Sequence, residues 1–285
     1  MKLNFTNQKQ FLAEIRKMAK ARKISAQVML QEVILDDLLE RIANSKYKNN
    51  FILKGGFLIA SLIGTDLRST RDLDTSVIGL TVSKDTMQRI FEEICAIKLP
   101  EDNIILKILK IDDIRENDEY NGYRLHIKAY VYSSRVDIKV DISTGDVITE
   151  RAIKYEHQLL LENRKIQIMA YNTETIIAEK LETVISRATF NTRLKDFYDL
   201  YIFDQKYYEM IDFDLLKKAI IATTKRRGTK DLIGSLISTL EMLKTNQNLE
   251  SLWSKYQDRN SYSKNINFAE TCNAAVHLVK KTGLK

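Results

Sequence analysis

Apolar residues recur along this chain with two different periods, and the change between them divides it. Val28, Ile34, Leu35, Leu38, Leu39 and Ile42 fall at helical spacing behind Ser25, a capping residue. They predict an amphipathic helix over 25–44, after another over 7–22. Phe51–Leu53 predicts a short strand, and 57–63 a helix that Gly64 can end. Residues 73–80 predict a strand, and 84–97 a helix that stops before Pro100. The period then becomes two. After a strand over 103–111, Tyr123, Leu125, Ile127, Ala129 and Val131 alternate with Arg124, His126, Lys128 and Tyr130. Beyond a turn at Ser133-Ser134, Val136, Ile138, Val140 and Ile142 alternate with Arg135, Asp137, Lys139 and Asp141. Such alternation predicts a hairpin with one buried and one charged face. From Thr173 onward the period is helical again, with helices over 174–188, 194–204, 213–224, 230–244, 248–257 and 267–281. The pattern predicts an α/β (α+β) protein: a mixed-sheet domain over 1–171 and a helical domain over 172–285.

Composition narrows the class. The chain has 285 residues, 44% of them hydrophobic and 29% charged, which describes an ordinary folded protein. No apolar run approaches the length that spans a bilayer, and the N-terminus lacks the apolar block of a signal peptide. Cys95 and Cys272 lie far apart and read as buried thiols of a cytoplasmic protein. The 3 histidines, with no cysteines beside them, argue against a zinc site. The formal charge is +7, and residues 151–285 hold most of the excess, with 22 Lys and Arg against 16 Asp and Glu. A basic half suits a polyanionic partner, and equally a surface tuned for solubility.

The chemistry concentrates in "ILKGGFLIASLIGTDLRSTRDLDT", residues 52–75. Alternate residues of a strand point the same way, so Asp72 and Asp74 would aim two carboxylates at one spot. Asp137 or Asp141, on the charged face of a later strand, could supply a third. Hard divalent cations take such oxygen ligands together with substrate phosphates, and promote phosphoryl-type transfer. Lys54-Gly55-Gly56, between a strand and a helix, would bare backbone N–H groups toward a phosphate. The order is not that of a Walker A loop, because the lysine precedes the glycines. "DLDT" also fits the start of haloacid-dehalogenase-type phosphatases. There the aspartate follows an apolar strand; here the apolar residues come after it.

These residues resemble the opening motif of the AbiEii/AbiGii toxin family, in the polymerase β-like nucleotidyltransferase superfamily. The resemblance maps the motif onto Lys54, Gly55, Gly56, Arg68, Thr70, Asp72 and Asp74. "ETIIAEKLETVISR" (174–187) is similar to the family's lysine motif and places Lys180. "RLKDFYDLY" (193–201) is similar to its Arg-x-Lys-Asp-x-x-Asp motif and places Asp196 and Asp199. "VDIKVDIS" fits its third-carboxylate strand, best at Asp141. The resemblance implies a cytoplasmic toxin of a bacterial toxin–antitoxin or phage-defence (abortive infection) system. It implies transfer of a nucleotide from an NTP, GTP or CTP foremost, with Mg²⁺ or Mn²⁺, to an RNA acceptor such as the tRNA 3′ end. It also implies a cognate antitoxin that often forms no stable complex with the toxin. Asp72, Asp74 and Asp141 would then hold metal. Lys180 and Asp196 would act in catalysis. Lys54, Gly55, Gly56, Arg68, Thr70 and Asp199 would bind nucleotide. A metal-dependent nuclease or phosphohydrolase, and a non-catalytic RNA- or partner-binding protein, are the alternatives.

Read without that resemblance, two of these positions look different. Lys180 lies on the apolar stripe of its helix, one turn from Ile176 and Val184, where a lysine would snorkel to water. Asp196 and Asp199 lie across the helix from Leu194, Phe197, Tyr198, Tyr201 and Ile202, which predicts a solvated face. "TTKRRGTKD" (223–231) packs four cations that could grip phosphate or mark a solvated junction. Trp253 and Tyr256 read as core.

Overall fold

The computed structural model describes residues 5–64, 68, 70, 72–116 and 120–284. It divides into two compact units, one of residues 1–145 with 153–170, the other of 146–152 with 171–285.

The first unit runs α1 (Gln8–Ala21), α2 (Ala26–Asn44), β1 (Phe51–Lys54), α3 (Gly55–Ile63), β2 (Asp72–Val77), α4 (Lys84–Cys95), β3 (Ile104–Glu116), β4 (Tyr120–Val131), β5 (Ser134–Ser143), β6 (Ile153–Gln158) and β7 (Lys165–Ala170). The seven strands form one sheet in the order β3-β4-β5-β2-β1-β7-β6. It is mixed: β2 runs parallel to β5 and β1 to β7, while the other neighbours are antiparallel. The period-two segments bury one face as expected: Leu125, Ile127, Ala129, Val136, Ile138 and Val140 are buried. The hairpin of β6 and β7 escaped the sequence reading. Its strands are 6 residues long, and β6 buries only His157, so it carries little apolar signal.

Helix α2 departs from its expected amphipathic form. It buries Glu32, Asp36, Asp37, Glu40 and Arg41 along with its apolar stripe. Buried charges need partners, and these tie α2 to the strands around it. Arg41 Nε donates to Asp37 at 2.8 Å, and its guanidinium also donates to Asp102 and to the carbonyls of Cys95, Ile97 and Ile104. Glu40 accepts from Arg164 at 2.7 Å. Asp36 bonds His157 Nε2 at 2.7 Å, and His157 Nδ1 bonds Ser61 Oγ at 2.7 Å. That last chain fastens β6 to both α2 and α3.

The second unit is helical: α5 (Thr173–Arg187), α6 (Leu194–Tyr207), α7 (Phe213–Arg226), α8 (Leu236–Lys244), α9 (Gln247–Arg259) and α10 (Phe268–Lys281). Residues 146–152 join it through Asn172, whose side-chain amide donates to the Thr149 carbonyl, and through Thr175, whose hydroxyl accepts from the Thr149 N–H at 3.2 Å. The single helix expected over 230–244 is a 3₁₀ turn, Lys230–Ser235, followed by α8. Gly234 in that turn disfavours a continuous α-helix. Trp253 is core, as expected: it is buried and donates from Nε1 to the Ile266 carbonyl at 2.8 Å. Cys95 and Cys272 are free and buried, and burial pushes both thiols up to about 12. No described helix is long and apolar enough to cross a membrane.

Candidate active site

Strand β1 ends at Lys54, and α3 begins at once with Gly55-Gly56. Gly55 has φ +65°, in the left-handed region that favours glycine. A Cβ on it would lie 2.0 Å from Asp74 Oδ2. The second glycine is also close-packed: a Cβ on Gly56 would lie 3.0 Å from Thr70 Oγ1 and 3.3 Å from the Arg68 guanidinium. The glycine pair therefore lets the carboxylate strand and the Arg68–Thr70 segment close against the start of α3. Asp74 Oδ2 accepts from the Gly56 N–H at 3.2 Å, so this carboxylate sits at the positive end of the helix. Ser69 and Arg71 of the same stretch lie outside the described residues.

Replacing Gly55 by alanine is expected to cost about 1–2 kcal/mol for the left-handed backbone and to push Asp74 aside. A displacement of about 1 Å at a reacting site costs on the order of 10²-fold in rate. Transfer activity should thus fall far more than the melting temperature, and equal losses in both would contradict the geometry.

Pairing register decides which carboxylate faces Asp74. On β2, Asp72 lies opposite Lys139 and Asp74 opposite Asp141 of β5. Directly paired residues share a face, so Asp141 joins Asp72 and Asp74. Asp137, the other expected candidate, pairs with Lys128 instead and is exposed. Lys54, paired with Asp74 from β1, completes the cross-strand group. Among the described residues no three metal-ligating side chains converge on one point. A pair of facing carboxylates still fits a cation that takes its other ligands from substrate phosphates and water.

Two residues of this site were missed in the sequence. Arg124 of β4 lies opposite Asp141 and forks onto both its oxygens, Nε to Oδ1 at 2.7 Å and Nη2 to Oδ2 at 2.6 Å. That bond holds the guanidinium pKa above its ordinary value, against partial desolvation, and the charges of Asp72 and Asp74 add to the effect. The positive charge of Arg124 thus stands where a metal bound to Asp141 would. Its signal was present in the alternation of β4 but needed the hairpin register to be read.

The second is Glu32 on α2. It is buried, and its Oε1 accepts from the Thr70 N–H at 3.2 Å. Its Oε2 has no hydrogen-bond partner among the described residues, and the side chain lines a cavity of about 190 Å³ with Arg22, Ser61, Thr70 and His157. Burial pushes its carboxyl up to about 7, against the opposing Thr70 N–H and Arg22 charge. The folded chain therefore holds a proton here that the unfolded chain loses near 4.5. This contribution to stability is complete below pH 4.5, shrinks as pH rises, and is gone above 7; it amounts to about 3 kcal/mol. Glu32→Gln should remove that pH dependence and be the more stable protein at pH 8. Urea midpoints that decline with pH as steeply in the variant would refute this.

The remaining expected residues form a second group, within the helical unit. Lys180 of α5 is buried and does not snorkel. Its ammonium donates to Asp196 and lies 3.1 Å from Asp199 Oδ2. Asp196 and Asp199 are also buried, which corrects the solvated face read from periodicity. The correction follows from α6 packing on two sides: its apolar stripe meets one set of neighbours, and its acidic side meets α5. Arg193 Nε also donates to Asp196, at 3.0 Å. Arg227, from the basic segment after α7, pairs with Glu182 at 2.6 Å and Glu179 at 3.2 Å. That cation holds α7 to α5 rather than facing solvent.

A mixed sheet with a glycine-lined helix start beside strand carboxylates, followed by helices, defines a nucleotidyltransferase-type fold. Its likeness in solved structures agrees. A crystal structure of a protein from H. pylori assigned to the nucleotidyltransferases matches with TM-score 0.53 at 17% identity, covering 91% of this chain and 96% of that one. The structure of JHP933 from Helicobacter pylori matches with TM-score 0.53 at 17% identity, covering 90% and 92%. The profile of the nucleotidyl transferase AbiEii toxin family, of type IV toxin–antitoxin systems, matches residues 37–271, and the chain belongs to that family. Comparison with curated protein sequences gave no significant match.

Proposed function

We propose that this toxin transfers a nucleotide from an NTP to the 3′ end of an RNA, with tRNA as the foremost acceptor and GTP or CTP as the foremost donors. The observation that carries this reading is the Lys54-Gly55-Gly56 turn packed on Asp74, with Asp141 directly opposite. In the proposed reaction the acceptor 3′ oxygen forms a bond to the α-phosphorus. The bond from that phosphorus to the α–β bridging oxygen breaks, and pyrophosphate leaves. The hydroxyl proton goes to Asp141, once Arg124 releases one of its oxygens. Bound Mg²⁺ (or Mn²⁺), held by the facing pair Asp74 and Asp141 with Asp72 beside them on the same face, would supply charge neutralisation at the phosphates. The N–H groups at the start of α3 and the side chains of Lys54, Arg68 and Thr70 would orient the triphosphate. Lys180, Asp196 and Asp199 enter the reading through the family resemblance, as a unit in which two carboxylates fix one ammonium. A cognate antitoxin follows from the family, and control of the toxin without a stable complex is part of the proposal.

The test is label transfer. Purified protein is incubated with Mg²⁺, bulk bacterial tRNA and each α-³²P NTP in turn. Label on tRNA from one nucleotide supports the reading and names donor and acceptor together. Intact, unlabelled RNA with every nucleotide would refute the tRNA assignment, and shortened RNA would favour a nuclease.

A further inference from the structure

The sheet face that carries the three aspartates does not end with them. Register places each residue of β2, β5, β4 and β3 in rows that share this face. The first row is Asp74, Asp141, Arg124 and Asp112. Beside it, Asp72 lies in line with Lys139, His126 and Lys110. In the next row Asp137 lies opposite Lys128, with Lys107 on the far side of Lys128, and in the last Arg135 lies opposite Tyr130. Beyond the row of Asp141, the face is thus dominated by cations. Lys107, Lys110, Arg135 and Lys139 are exposed. Lys107, Arg135 and Lys139 form no ion pair among the described residues. Tyr130 is half-buried, with Lys107 Nζ 5.6 Å from its ring centroid.

We propose that this face of β3, β4 and β5 is the track on which the acceptor RNA lies, its 3′ end at Asp141 and its phosphates on Lys139, Lys107 and Arg135. The proposal rests on the transferase reading above and extends it to where the acceptor binds. Rows of one face repeat about every 7 Å along a strand, so the track from Asp141 to Arg135 runs about 20 Å. That length suits a few nucleotides of an unpaired strand, whose phosphates can meet successive rows. An open pleated face with a tyrosine among cations is suited to single-stranded RNA, which takes stacking from aromatic rings and charge neutralisation from lysine and arginine. Unneutralised cations leading to a carboxylate pair also give the strand a direction, because only the end at the aspartates meets the incoming nucleotide.

The test uses the whole protein and fluorescein-labelled bulk tRNA, without NTP or divalent metal, titrated across salt. The triple variant Lys107→Gln, Arg135→Gln, Lys139→Gln is compared with wild type and with Lys154→Gln, Lys165→Gln at exposed positions of β6 and β7. Each lost phosphate contact to a single strand lowers the slope of log K against log salt by about 0.7. The track variant should lose about 2 from that slope, bind tRNA on the order of 10-fold or more weakly, and keep its affinity for a fluorescent NTP. The control variant should match wild type. Unchanged tRNA affinity and slope in the track variant, or an equal loss in the control, would overturn the track while leaving label transfer intact. Failure of wild type to label tRNA would instead overturn the tRNA-acceptor reading above, and the two failures are read in separate assays.

Discussion

Lys180→Met is expected to destabilise the protein by about 3–5 kcal/mol, the cost of leaving buried charge without its partner. Folded domains are stable by only about 5–15 kcal/mol, so this one change puts the fold near its limit. The cause lies in the trio itself. Asp196 and Asp199 are both fully buried and face one ammonium. Remove it, and two carboxylates share a dry site. In the wild type, burial pushes the Asp196 carboxyl up, but Lys180 and Arg193 outweigh burial and hold it below the ordinary carboxylate range. Its contribution to stability is therefore present above the unfolded value near 3.8 and lost as pH falls through the lower folded one. In the variant the sign reverses, because the ammonium no longer offsets the burial of two carboxylates, and a desolvated carboxyl binds a proton more tightly in the folded state. Urea denaturation should show the wild type losing stability below pH 4 while Lys180→Met gains it as pH falls toward 5. Adding Asp196→Asn and Asp199→Asn should recover part of the loss, since no uncompensated charge then remains. A triple variant no more stable than Lys180→Met would mean the trio is not an electrostatic unit. A stable triple variant that transfers no nucleotide would assign the trio a part in the chemistry as well.

Asp74→Asn should lower nucleotidyl transfer by on the order of 10³-fold, about 4 kcal/mol of barrier. The substitution is nearly isosteric, and the asparagine oxygen can still accept from the Gly56 N–H. What it loses is the negative charge facing Asp141. Without that charge the site holds a divalent cation poorly and neutralises the triphosphate less in the transition state. The melting temperature should move little, and in the metal-free protein it should rise if anything, because one of the like charges on this face is gone. Retained label transfer by Asp74→Asn would remove the carboxylate pair from the mechanism. A collapse in folding would make Asp74 a structural residue and leave the mechanism without its centre.

Much of this arrangement was legible before the fold was known, because it depends on local rules. Period-two alternation marked β4 and β5, and strand, glycine pair and helix marked the turn at Lys54. The alternate spacing of Asp72 and Asp74 placed them on one face. Where reading failed, the missing quantity was register or burial from a distance. A turn at Ser133-Ser134 would put His126 opposite Asp141. The loop is instead Tyr132-Ser133, with Tyr132 at φ +51°, and Arg124 takes that place. One residue of turn position thus decides which cation guards the carboxylate. Asp196 and Asp199 sit on the polar side of α6 by its own periodicity. They are buried because α5 brings a lysine to them, and the polar residues of α2 are buried for the same kind of reason. The sequence by itself determined most of the elements, the family and the carboxylates and glycines of the site, since these follow from short-range spacing. Only the tertiary structure decided that Asp141 rather than Asp137 faces Asp74, that Arg124 and Glu32 belong to the site, and that Lys180 is held by two carboxylates. Those outcomes depend on strand pairing and on desolvation by neighbours far along the chain, which no local pattern encodes.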